Sequence, residues 1–162
     1  MFNIGDYVVN AKNGICEIKD IMMMNMTGKA KQYYMLVPLE EKNAKIYIPV
    51  DKAEERIRPV MEKEEAWELI GEIKTIDVIF IENERERERI FKEAINSCEP
   101  KQLVSIIKSL YLRRQKRFEE GKKSTEMDER YFKLAQNHLY GELAFALEVS
   151  KSEMYRIIEE NI

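Results

Sequence analysis

The chain has 162 residues, of which 44% are hydrophobic and 35% charged, enough to bury one core or two small ones. A net charge of only −3 excludes a generic polyanion binder and leaves any phosphate contact to a local basic face. Two widely separated cysteines, Cys16 and Cys98, no signal peptide and no apolar run of membrane-spanning length predict a cytoplasmic protein.

The first sixty residues read as strands. Ile4, Tyr7 and Val9, then Ile15, Glu17, Ile18 and Ile21, fall in short β-prone runs bounded by Gly5 and by Asn13-Gly14, where Asn-Gly supplies a positive φ for a turn. Thr27-Gly28 breaks the chain again before Tyr33-Tyr34-Met35-Leu36-Val37. Lys45-Ile46-Tyr47-Ile48 alternates and stops at Pro49, which cannot donate to a ladder. Residues 51–55 have room for a single helical turn, and Arg56-Ile57-Arg58-Pro59-Val60 is the closing strand. About five short strands at this spacing predict a small antiparallel β-barrel.

From Met61 the pattern becomes helical. Ala66, Trp67, Leu69, Ile70 and Ile73 alternate with Glu64, Glu65, Glu68 and Glu72, which gives an apolar and an acidic face. Trp67, the only tryptophan, is assigned to the core, where it would pack the two domains together. Residues 75–81 form a β-branched run that reads either as a strand or as an extended buried connector, a choice its length does not decide, with the connector preferred. Asn83 with Glu86 caps the next helix, and Pro100 suits the first turn of the one after, whose apolar set is Leu103, Val104, Ile106, Ile107, Leu110 and Tyr111. Thr125 with Asp128, or Ser124 beside it, opens a long helix through Leu147, and Ser150 with Glu153 opens the last. Residues 61–162 therefore form an all-helical domain.

No catalytic constellation is present. His138, the only histidine, lies between apolar helix positions and reads as structural; neither cysteine belongs to a zinc-type pair, and no phosphate-binding glycine loop occurs. The protein is accordingly expected not to be an enzyme and to use no cofactor, metal or small-molecule substrate. Two features point to binding. The densest basic cluster is Arg113, Arg114, Lys116, Arg117, Lys122 and Lys123, which reads either as a cation-rich helix end or as a nucleic-acid contact. Met22-Met23-Met24-Asn25-Met26 lies near the second turn; alternate side chains of a strand point outward, so part of this run is exposed, as suits a protein partner.

Gly5-Asp6-Tyr7-Val8-Val9 with Gly14, Tyr33-Tyr34-Met35-Leu36, Ile46-Tyr47-Ile48-Pro49-Val50 and Arg58 resemble the Tudor-like RNA-polymerase-interacting domain of the CarD/CdnL family, which the transcription-repair coupling factor shares. Leu110-Tyr111-Leu112-Arg113-Arg114 and Leu139-Tyr140-Gly141-Glu142-Leu143-Ala144 are similar to that family's C-terminal domain. The resemblance implies an α+β protein: a Tudor/SH3-like barrel over residues 1–60 that docks on the β subunit of bacterial RNA polymerase, and a compact helical domain over residues 61–162 placed near promoter DNA. In the family a tryptophan wedges into the minor groove at the upstream edge of the bubble and stabilises the open complex, an apolar insertion that offsets unstacking.

Here the wedge position, after Asn83, holds Glu84, and a carboxylate is repelled by phosphate. The family's polymerase-facing arginines fall at Met24 and Tyr47. The polymerase contact is therefore expected at Met22, Met24, Met26 and Tyr47, and contact with the DNA backbone at Arg85, Arg87, Arg89, Lys92, Arg113, Arg114 and Arg117, weak on its own. The alternative is a Tudor-like protein–protein adaptor that does not engage DNA.

Overall fold

A computed structural model of the chain describes all of residues 1–162, which divide into two compact units, Met1–Val60 and Met61–Ile162. Each has a separate hydrophobic core.

The N-terminal unit is built on five antiparallel strands: β1 (Tyr7–Asn10), β2 (Gly14–Asn25), β3 (Ala30–Pro38), β4 (Ile46–Pro49) and β5 (Ile57–Pro59). The Asn10 side chain accepts from the backbone N–H of Lys12 (3.1 Å) and Asn13 (3.2 Å), and Gly14 at φ 69° completes the turn into β2. The second hairpin turns through Gly28, at φ 86°. Strand order is β4-β3-β2-β1-β5, an open sheet and not the closed barrel expected from the sequence. The two edges are the short strands β4 and β5, each ending in a proline that lacks an N–H, and they do not pair with each other. A 3-10 turn (Val50–Lys52) and the single-turn helix α1 (Ala53–Arg56) link them, with Ala53 entering the core beside Val8, Cys16, Ile18, Tyr34, Leu36, Ile48 and Ile57.

The helical unit comprises α2 (Lys63–Glu72), α3 (Glu84–Ser97), α4 (Pro100–Glu119), α5 (Glu126–Leu147) and α6 (Lys151–Asn161). Asn83, Thr125 and Ser150 accept from the backbone N–H three residues on, at 3.0, 3.1 and 3.2 Å, so three helices start where the sequence placed their caps. Pro100 occupies the first turn of α4. That helix is central: Leu103 to Leu110 are all buried. Residues 76–83 are an extended connector after a short 3-10 turn, Ile73–Thr75.

Trp67 does not enter the core; it is 49% exposed. Ala66, Leu69 and Ile70 define the buried stripe of α2, continued by Ile73 in the turn that follows, and a residue next to Ala66 is turned about 100° away from it.

Candidate functional site

The sheet of the N-terminal unit has a second face, turned away from its core. A bulge in β2 between Ile18 and Asp20 sets which residues occupy it. Before the bulge Cys16 and Ile18 point into the core; beyond it the parity changes, so that Ile21 packs on the core while Asp20, Met22 and Met24 face outward. Lys19, at the bulge, lies 2.7 Å from the Glu17 carboxylate, whose hydrogen bond and charge hold the ammonium above its usual pKa.

Across the ladder Met22 stands opposite Tyr33, Met24 opposite Lys31, Asp20 opposite Met35, and Met35 opposite Tyr47. Met22, Met24 and Tyr47 thus share one face, with Tyr33 and Met35 between them. Tyr33 is only 4% exposed yet lies outside the core cluster, so its ring is covered by neighbours on this outer face. Met22, Met24, Met35 and Tyr47 are half-buried. Met26 stands apart, past the end of β2 in the turn, 58% exposed. The strip is apolar, with Asp20 and Lys31 at its margins, a surface suited to a protein partner.

The basic residues of the helical unit are arranged otherwise. Arg87 is 5% exposed, and its Nε lies 3.3 Å from Asp128 Oδ1. Arg113 donates from Nε to the other oxygen of Asp128 at 2.6 Å, so one buried carboxylate at the start of α5 ties α3 and α4 together. Arg114 meets both oxygens of Glu129 at 2.8 and 2.9 Å and lies over the Phe132 ring at 4.4 Å. Arg117 donates to the Lys123 carbonyl at 2.8 Å. On α3, Arg89 is bracketed by Glu86 and Glu93, and Lys92 lies 3.7 Å from Glu88. Arg85 is exposed. Arg87 therefore drops out of any DNA-facing set, because its guanidinium is enclosed and committed to Asp128. Glu84 is exposed at the first position of α3, where a carboxylate complements the helix dipole.

The sequence reading missed four buried polar residues. Lys108 donates from Nζ to the carbonyls of Ile73 (2.7 Å), Lys74 (3.4 Å) and Ile76 (2.6 Å), closing the frayed end of α2. Ser105 and Ser109 hold the same connector through the Asp77 carbonyl (2.7 Å) and the Ile79 N–H (2.8 Å). Glu142 accepts from the backbone N–H of Met61 at 2.8 Å. Lys108 and Ser109 were visible only as polar interruptions of an apolar helix stripe, and nothing in local spacing names their partners.

No group of three or more His, Cys, Asp or Glu side chains is placed to hold a metal ion, and His138 is half-buried on α5. No helix is long and apolar enough to cross a membrane. An open groove of about 670 Å³ lies in the N-terminal unit between Phe2, Tyr7, Ile57 and Arg58, with no buried unsatisfied polar atom beside it.

No curated protein matches the chain. Residues 2–61 match the family model of the CarD-like/TRCF RID domain, a match that covers the five-stranded sheet. That family is one of RNA-polymerase-interacting transcription factors. The match falls on the N-terminal unit: residues 2–61 are similar to the CarD-like/TRCF RID domain, and the helical unit from Glu62 onward lies outside the matched residues.

Proposed function

We propose that the protein is a bacterial transcription regulator that docks on the RNA polymerase β subunit through the outer face of its N-terminal sheet, and that its helical unit acts near promoter DNA to modulate the open complex. The observation that carries this reading is the coincidence of the RID-family match with the apolar strip of Met22, Met24 and Tyr47 on the sheet. The backbone contacts of the helical unit fall to Arg85, Arg89 and Lys92 on α3 and to the outward parts of Arg113, Arg114 and Arg117. With Glu84 at the wedge position there is no apolar insertion between base steps, and the effect on bubble lifetime is correspondingly small.

Direct binding to core RNA polymerase tests the reading, with the full chain compared against residues 1–60. Equal affinities are expected; no binding by either at micromolar concentration removes the polymerase assignment. Met24→Asp with Tyr47→Asp is expected to weaken binding about tenfold or more, since each carboxylate must lose water at an apolar contact.

A second reading, an adaptor that meets protein partners and no DNA, is favoured by the internal commitments of Arg87, Arg113, Arg114 and Arg117. Salt separates the two. DNA contact in the polymerase complex predicts affinity falling steeply with ionic strength, and the adaptor predicts no DNA association at any salt.

A further inference from the structure

We propose that the methionine hairpin is an oxidant-sensitive modification site, at which hydroperoxides convert the thioethers of Met22, Met23, Met24 and Met26 to sulfoxides and so loosen the docking face from its partner. This rests on the polymerase-docking reading above.

Met22, Met23, Met24 and Met26 are four of the nine methionines in the chain; the first three lie on one arm of one hairpin and Met26 in its turn. Strand stability does not explain them, because β-branched and aromatic residues fit a half-buried pleated surface better than the unbranched thioether. Their sulfurs are reachable from solvent: Met23 is 61% exposed, Met26 is 58% exposed, and Met22 and Met24 are half-buried with Met35 on the outer strip. Met61 and Met154, by contrast, are enclosed in the helical core. Solvent access therefore separates the hairpin, with the more exposed Met1 (90%) and the half-buried Met35 and Met127, from the enclosed pair Met61 and Met154.

The chemistry is self-contained. A sulfur lone pair attacks the distal oxygen of a hydroperoxide, the O–O bond breaks, an S=O bond forms, and the alcohol or water leaves; sulfur is oxidised as the peroxide is reduced. Sulfoxide reductases reverse the step at the expense of a dithiol, which becomes a disulfide while the oxygen departs as water. The product is polar and chiral where the strip was apolar and pliant. Met22 and Met24 flank the covered Tyr33 ring along the strip, so a sulfoxide at either places an unsatisfied acceptor in the middle of the contact.

The test uses the full-length chain treated with limiting hydrogen peroxide, with oxidation at each methionine read by peptide mass spectrometry and affinity for core polymerase measured before and after. Sulfoxide is expected first at Met23 and Met26, then at Met22 and Met24, well ahead of Met61 and Met154. Affinity is expected to fall about tenfold, the consequence of burying one unpaired polar group, and to return after sulfoxide reductase treatment. In a Met22→Leu, Met23→Leu, Met24→Leu, Met26→Leu, Met35→Leu variant, whatever its starting affinity, the ratio of treated to untreated binding should stay near unity, although Met1 and Met127 remain available to peroxide. The inference is overturned if oxidised protein binds as untreated protein does, if the leucine variant loses affinity to the same degree, or if Met61 and Met154 oxidise as fast as the hairpin. Failure of untreated protein to bind polymerase is a different result, and it removes the docking reading itself.

Discussion

Asp128 ties three helices of the helical unit together, α3 and α4 to its own α5. It receives Arg87 and Arg113 on its two oxygens, and its own N–H is capped by Thr125 at 3.1 Å. Asp128→Asn leaves two guanidiniums facing a neutral amide, one of them fully enclosed. Breaking a buried pair from one side costs about 3–5 kcal/mol, and chemical denaturation should show a loss of that order. Arg85→Ala, on an open helix face, should change stability by no more than about 0.5 kcal/mol in the same measurement. Both arginines carried the same weight in a reading of the sequence. The difference lies in a partner 41 residues away from Arg87, a separation at which no helical spacing rule operates. Glu84 was legible from its neighbours, because a carboxylate directly after an N-cap has a local electrostatic meaning.

At the scale of elements the local signals were the readable ones. The caps at Asn83, Thr125 and Ser150 and the turns at Gly14 and Gly28 depend on a few adjacent residues and were legible; the connector, read at residues 75–81 with a strand as its alternative, is found at residues 76–83. Closure of the barrel was not, because it depends on whether the first and last edges find each other. Helix ends supply a further test. Glu148 closes α5 at φ 57°, a left-handed conformation that costs a residue with a Cβ about 1 kcal/mol; Glu148→Gly should therefore raise the stability of the helical unit by up to that amount, read as a shift in denaturation midpoint. Lys108→Met works in the opposite direction. It leaves the carbonyls of Ile73 and Ile76 buried without their donor, and a loss of about 1–3 kcal/mol is expected, with faster hydrogen exchange over residues 73–79.

For the whole molecule, two cores mean two reporters of alkaline unfolding. Burial pushes the Cys16 thiol up to about 11 in the N-terminal unit, and burial pushes the Tyr140 hydroxyl up to about 12 in the helical one. In both cases the unfolded chain loses its proton first, so stability is complete below the ordinary pKa and declines as pH rises towards the folded value. The windows are pH 9 to 11 for Cys16 and pH 10 to 12 for Tyr140. Each contributes at most about 3 kcal/mol of loss across its window, and thiolate absorbance together with tyrosinate absorbance, followed against pH, separates the two. Cys16 should also resist thiol reagents until the N-terminal unit opens.

The bulge at Lys19 sets a rule for anyone exchanging hairpins between members of this family. It acts as a reading frame for the sheet: a regular strand that kept Lys19 and paired it with Met35 would carry Met22 and Met24 inward and expel Ile21, reversing the inside and outside of every position up to the turn. Length can then change at the turn, at the unpaired Lys19 or by pairs of residues along an arm. A graft that keeps every methionine but loses the frame would keep the composition of the docking strip and present the wrong side of it.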